Sequence, residues 1–277
     1  MSVEAAALDQ WYTLGALRDF PQGESRRRLL GTDLAISHIG DRFSVGDLPV
    51  RTDYGHLWTS LGTPRPLFDI PEVHEADRRR VYCGAVTVRA SGLRLIENFL
   101  DLAHFPYVHS DVLGVEERPE VARYEVEQRR DVDELWATKC EFFQPRAAAS
   151  AEGGQISQYM YRVVTPFNVM LYKTPPTAPN RWDMVALFVQ PVEPDLSIAH
   201  PYMLVIDDSS TEAELVGFQQ MIFLQDKIVL ENQRPRLLPL QPGRETPTRA
   251  DLSSVLYRRW LKEKQLRYGV EEPAAFA

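Results

Sequence analysis

The stretch ENFLDLAHFPYVH, residues 97–109, places Asn98, Asp101, His104 and His109 within twelve positions of a chain with six histidines in 277 residues. Two imidazoles beside a carboxylate are a donor set for a divalent metal, since a neutral imidazole offers one ring-nitrogen lone pair and a carboxylate adds charge. Such a pair becomes an iron site when a carboxylate from elsewhere completes a facial triad and leaves coordination positions open for oxygen and substrate. The remote candidate is Asp226, in FLQDKIVLENQ, with Phe218 and Ile222 eight and four residues before it. On a helix that spacing puts an acid on an otherwise apolar stripe, which is costly unless the acid is paired or metal-bound. Spacing alone does not name the metal. His38, His56, His74 and His200 have no comparable company and are expected to serve packing or the surface, and Asp207-Asp208 to form a turn.

The elements that must position these groups follow from periodicity. VYCGAVTVRA, 81–90, is short and β-branched, and the run after it takes helical spacing with Leu95, Phe99 and Leu102 on one side. Within a helix over 95–105, Asp101 and His104 share a face. Pro106 has no N–H for the Leu102 carbonyl and disfavours helical geometry at Phe105, so the helix is expected to end or widen there and swing His109 back. Between 120 and 206 several strand-like segments, among them ELWATKCEFF, ISQYMYRVV and DMVALFVQPV, predict an antiparallel sheet. A long helix should follow, capped by Ser209 or Ser210 and carrying Leu215, Phe218, Ile222 and Val229, and RADLSSVLYRRWLKEKQL near the C-terminus should form another. Strands first and long helices after them indicate an α+β fold with a curved antiparallel sheet around a helix.

Composition narrows the function. With 44% hydrophobic and 25% charged residues the chain can bury a core, and a formal charge of −8 with a pI near 5.4 argues against nucleic acid or an anionic membrane as partner. The clusters Arg26–Arg28 and Arg78–Arg80 are expected to be solvated. No apolar run approaches the roughly 20 residues of a membrane span, and MSVEAAALDQ lacks the features of a secretory signal, so a cytoplasmic location is expected. Cys83 and Cys140 form no Cys-x-x-Cys or Cys-x-His pair and are expected to be reduced, packed thiols.

The run Asn-x-x-Asp-x-x-His-x-x-x-x-His of Asn98, Asp101, His104 and His109 closely resembles the mononuclear iron motif of the Rieske non-haem iron oxygenases, in the branch of vanillate O-demethylase and dicamba demethylase. The likeness spans most of the chain. DQWYTLGALRDF and RRRLLGTDLAI resemble that family's opening strands, DYGHLWTSLGTP the return from its Rieske domain, QDKIVLENQRP its third-ligand helix, and ADLSSVLYRRWL its closing helix. The resemblance implies Fe(II) held by His104, His109 and Asp226. It gives Asp101 the part of the acid that orients a ligand histidine and faces an incoming electron, with Asn98 beside it. It also implies a helix-grip (START-like) catalytic domain at 72–277 after a degenerate Rieske-like β domain at 1–71, and a trimer, a multiple of one, or a hetero-oligomer.

The departure from the family is equally specific. Its members hold a [2Fe–2S] centre with Cys-x-His and a later Cys-x-x-His, and this chain has neither motif; about eight residues join Phe43 to Arg51 where the cluster loops would lie. It is similar in this to the Rieske-lacking N7-demethylase components of bacterial methylxanthine breakdown. Dioxygen reduction takes four electrons and one hydroxylation draws two from the substrate, so two must come from elsewhere. A partner Rieske or reductase protein would supply them to an enzyme that hydroxylates or demethylates a small, largely apolar or aromatic substrate with O2. The alternatives are a self-sufficient enzyme using only substrate electrons, or a non-catalytic subunit of a larger oxygenase; retention of all three ligand positions weighs against the last. Phe218 and Ile222 on the Asp226 helix, with Met184, Tyr161 and Tyr172 from the sheet, are the candidate pocket walls, although packing alone would also explain the sheet residues.

Overall fold

The computed structural model describes residues 3–151, 153–178 and 180–272. A short helix α1 (Ala5–Leu8) leads into six strands: β1 (Tyr12–Ala16), β2 (Gly23–Leu29), β3 (Thr32–Ile39), β4 (Arg42–Val45), β5 (Val50–Arg51) and β6 (His56–Thr59). They form two three-stranded antiparallel sheets, ordered β1-β6-β5 and β2-β3-β4. Next come β7 (Arg79–Tyr82), β8 (Val86–Val88) and the helices α2 (Gly92–Leu100) and α3 (Phe105–Val108). The strands β9 (Glu125–Arg129), β10 (Glu134–Gln144), β11 (Gln155–Thr165), β12 (Asn168–Lys173), β13 (Asp183–Glu193) and β14 (Leu196–Val205) precede α4 (Glu212–Asn232) and α5 (Leu252–Glu263). The sheet is eight-stranded and antiparallel, ordered β7-β14-β13-β12-β11-β10-β9, with β8 also on β14.

Cross-strand register sorts the sheet's side chains into two faces, because successive residues of a strand point to opposite sides. Tyr161, Leu171, Val185 and Met203 are aligned across β11 to β14, with Tyr159, Lys173 and Asp183 in the next row of that face. On this side Val185 and Met203 pack with Leu215 of α4, and α2 lies against β13. The row one residue away, Met160, Tyr172, Met184 and Leu204, belongs to the opposite face. There Tyr172, Met184, Phe188 and Tyr202 pack with Trp58 and Ile70. Covered on both faces, β13 is buried from Asp183 to Pro191, which is why DMVALFVQPV lacks polar alternation. The N-terminal strands therefore wall a core whether or not they hold a cofactor. A bulge in β10 between Ala137 and Cys140, with Lys139 at φ 58°, bends that strand.

Four local expectations are corrected. The first site helix stops at Leu100: Asp101 takes extended backbone angles, and its Oδ1 accepts the Ala103 N–H at 2.7 Å. Pro106 thus starts a helix instead of ending one. It lies in the first turn of α3, where its missing N–H costs nothing, and His104 and His109 are that helix's N-cap and C-cap. The cap of α4 is Thr211, in a capping box with Glu214; Ser209 and Ser210 are held in a turn by the Asp207 carboxylate. Along α4, Val229 is exposed, and Leu215, Phe223 and Leu230 carry the buried apolar face.

Candidate metal centre

α3 sets the first two donors. Its short turn puts His104 and His109 at either end, and their Nε2 atoms converge to 3.1 Å. α4 brings Asp226, whose Oδ1 lies 3.2 Å from His104 Nε2 and 3.1 Å from His109 Nε2. The three atoms form a nearly equilateral triangle. His109 and Asp226 are buried, and Asp226 Oδ1 has no well-formed hydrogen bond among the described residues despite these short approaches.

The far nitrogens fix which way the lone pairs point. His109 Nδ1 lies 2.8 Å from Gln225 Oε1, an atom that can only accept, so Nδ1 carries the proton and Nε2 is left a lone pair. His104 Nδ1 lies 3.3 Å from Asp101 Oδ2, a longer approach with poorer alignment but the same polarity. Two lone pairs and a carboxylate oxygen at such separations repel one another unless a cation sits among them. Edges of 3.1–3.2 Å are those of one face of an octahedron, and the octahedron's centre lies about 2.2 Å from each corner, the edge divided by √2, close to the distances divalent ions take. The residues therefore fit a metal ion. Burial would lower the His104 pKa, but the Asp101 and Asp226 carboxylates overcome it and raise it to about 9. Burial would likewise raise Asp226, yet the two imidazoles hold it well below the usual carboxylate range. In both cases the site's electrostatics favour positive charge at its centre.

A cavity opens from this triangle between the sheet face and α4. Phe99, Phe105, Leu171, Phe218, Ile222 and Phe223 are its main apolar walls, and Asn98, Gln144, Tyr159, Tyr161 and Lys173 its polar ones. Of the residues expected from the sequence, the structure places Asn98, Tyr161, Phe218 and Ile222 on this cavity with the triad. Tyr172 and Met184 are corrected: they sit one position from Leu171, Lys173 and Val185, which turns them to the N-terminal side of the sheet. Asp101 lies outside the cavity, in a cleft it shares with His104, Val229 and Val255. Sequence reasoning missed Gln225, although it adjoins Asp226. It also missed Gln144 and Lys173, for which the signal was a polar residue at an inward-facing strand position, after Cys140 and Phe142 in one case and Leu171 in the other.

Comparisons with known proteins identify the family and the fold. The vanillate O-demethylase oxygenase C-terminal domain family matches residues 88–267. Over 270 residues, 95% of this chain and 96% of the relative, the sequence is 46% identical to the probable methylxanthine N7-demethylase NdmC of Pseudomonas sp. (strain TJI-51). Among solved structures, NdmA of Pseudomonas putida CBB5 with caffeine superposes with a TM-score of 0.78 at 15% identity, covering 98% of both chains. Dicamba monooxygenase with non-heme iron and dicamba does so at 0.69 and 14% identity, covering 94% of this chain and 98% of that one. At such identities the two structures share the fold.

Proposed function

The chain belongs to the vanillate O-demethylase oxygenase C-terminal domain family and is an oxidoreductase of the oxygenase and demethylase type, and on that premise we propose that it removes a methyl group from an N-methylated xanthine. In this reading His104, His109 and Asp226 hold one Fe(II). The convergence of their three donor atoms within 3.2 Å carries the metal assignment, and the 46% identity to a probable methylxanthine N7-demethylase supports the substrate class. Residues 72–277 act as a helix-grip catalytic domain, and residues 1–71 as a Rieske-like β domain that holds no cluster. The sequence supports the latter, since residues 1–71 contain no cysteine that could supply a thiolate ligand, and Cys83 and Cys140 are buried free thiols outside that segment.

Ferrous iron, when bound, supplies the oxygen activation that oxidation of a methyl C–H bond requires. The chain's own groups do the rest. Gln225 holds the His109 tautomer, Asp101 faces the His104 Nδ1, and the aromatic walls keep water from the reacting methyl group. Hydroxylation of an N-methyl group gives a hemiaminal, whose C–N bond breaks to release formaldehyde. The balance is one substrate, one O2, two electrons and two protons to one demethylated product, one formaldehyde and one water. The two electrons come from a separate Rieske or reductase protein. Its docking place is the cleft at Asp101, beside which Val229 and Val255 are exposed apolar side chains. The working form is a trimer or a larger or mixed oligomer in the cytoplasm; among the described residues no helix is long and apolar enough to cross a membrane.

The test is anaerobic loading with Fe(II), then 7-methylxanthine, O2 and a Rieske-containing reductase, with formaldehyde and xanthine measured against O2 consumed. One formaldehyde per O2, dependent on both iron and the reductase, is expected. Equal turnover without any reductase would replace the donor reading with a self-sufficient enzyme. No formaldehyde under any condition would overturn demethylation.

A further inference from the structure

Gln144 is wholly buried at the end of β10, and neither its Oε1 nor its Nε2 has a hydrogen-bond partner among the described residues. A buried primary amide with every donor and acceptor idle is rare, because each idle group forgoes the hydrogen bond it made to water. Gln144 follows Cys140 and Phe142 on the side of β10 that faces the cavity, and it lines that cavity together with the metal triad. The hydroxyls of Tyr159 and Tyr161, also buried, lie on the same wall without partners among the described residues; Tyr159 approaches Gln144 and Ser157 without reaching bonding geometry to either.

Lys173 completes this wall. It is the cross-strand neighbour of both Tyr159 and Asp183. Protein surrounds its ammonium although part of the side chain keeps contact with solvent. Of its three N–H donors one is given to the Ala147 carbonyl, and it makes no salt bridge among the described residues. Asp183, the nearest acid across the strand pair, accepts the Ile206 N–H at 2.8 Å instead. Burial brings the Lys173 pKa down to about 8, and the amine donates hydrogen bonds in either protonation state.

We propose that Gln144 and Lys173 are specificity-determining residues that read the polar edge of the substrate, and that this edge presents a carbonyl next to an N–H, as in a lactam or imide. An amide side chain complements a group that both accepts and donates. A carboxylate only accepts and would leave Gln144 Oε1 facing negative charge, whereas a hydrocarbon edge would leave all these groups idle. The proposal rests on the cavity being the substrate site of the preceding subsection, and it adds which residues choose the substrate there.

The experiment measures binding, not turnover, by titration calorimetry on the anaerobic Fe(II)-loaded protein without electron donor. The probes are 7-methylxanthine and 1-methylbenzimidazole, a flat N-methyl bicycle without the carbonyl edge. The wild type should bind 7-methylxanthine the more tightly. Gln144→Leu and Lys173→Met should each weaken 7-methylxanthine by about tenfold or more and leave 1-methylbenzimidazole within about twofold. Ligand-free Gln144→Leu should melt no lower than the wild type, since it removes an idle buried amide, so lost binding could not be assigned to a damaged fold. Retained discrimination in both variants would overturn the proposal while leaving the cavity as the substrate site. Equal loss of both probes would overturn it too, by giving the two residues a structural role. A wild type that binds neither probe would instead overturn the reading of the cavity itself.

Discussion

His104 and His109 face each other through their Nε2 atoms at 3.1 Å, with the opposite nitrogen of each ring turned to an oxygen, Asp101 Oδ2 or Gln225 Oε1. That arrangement commits both rings to present lone pairs to the same point, where Asp226 Oδ1 also arrives. In the absence of a cation the point is repulsive, and the protein must take up a proton there; a divalent ion relieves the repulsion and stabilises the fold by mass action.

Metal binding and stability should therefore move together. Fe(II) at about a hundred times its Kd should stabilise the folded chain by about 2.7 kcal/mol, and a chelator should reverse this. In His104→Ala, His109→Ala or Asp226→Ala the iron-dependent shift in Tm and the stoichiometry of about one iron per chain should both disappear. Full occupancy in two of these three variants, measured by metal analysis after gel filtration, would dismiss the triad.

Gln225 should tune the centre without belonging to it. Gln225→Leu removes the acceptor that holds the His109 tautomer, and iron affinity should fall by about 10–100-fold. Gln225→Glu keeps an acceptor and should retain most of the affinity. Competition with a calibrated chelator distinguishes the two, and equal affinities for Leu and wild type would remove Gln225 from the account.

Asp101 has two contacts, the Ala103 N–H and the His104 ring. Asp101→Asn keeps the first and loses the charge, so iron occupancy should survive nearly intact. Turnover driven by the reductase should fall by roughly tenfold or more, and product formation driven by hydrogen peroxide should be far less affected. Equal losses in the two assays would refute a donor docked at this cleft.

The seam between the N-terminal strands and the sheet should carry stability, not chemistry. Trp58 is fully buried against Phe188 and donates its indole N–H to the Asp53 carbonyl at 2.9 Å. Trp58→Ala should cost about 3–5 kcal/mol in denaturant unfolding. Iron affinity of the folded protein should stay unchanged; a large loss of affinity would show that the seam also shapes the centre.

Lys173 should leave a signature in stability against pH. Its pKa is about 8 in the folded chain against about 10.4 when unfolded. Between those values the unfolded chain holds a proton that the folded one has released, so this group's contribution to stability rises with pH across that window. Below it, the full cost of the buried charge remains. Lys173→Met should then stabilise the ligand-free protein most below about pH 8, with the gain shrinking toward pH 10. Because His104 titrates in the same range in the metal-free chain, the difference between the two proteins is the quantity to measure. A difference independent of pH would show that the Lys173 pKa is not depressed.

By itself the sequence determined which residues could form the centre and which family they resemble. Asp101 and His104 are close in sequence, and donor type together with spacing is a local property. It also determined an antiparallel sheet followed by a long helix, since β-branched runs and apolar stripes act within single segments. What it could not decide is how separate segments face one another. Whether Tyr172 or Leu171 sees the cavity depends on cross-strand register, and β13 is apolar on both faces, so no alternation marked Met184 as lying on the wrong side. The break at Asp101 likewise depended on a side-chain bond to Ala103 that competes with the helix, and the helical spacing of the neighbouring apolar residues hid it. The roles of Gln144, Lys173 and Gln225 exist only in three dimensions. Each is an ordinary polar residue until the fold removes its water and leaves it facing a cavity or a ring nitrogen.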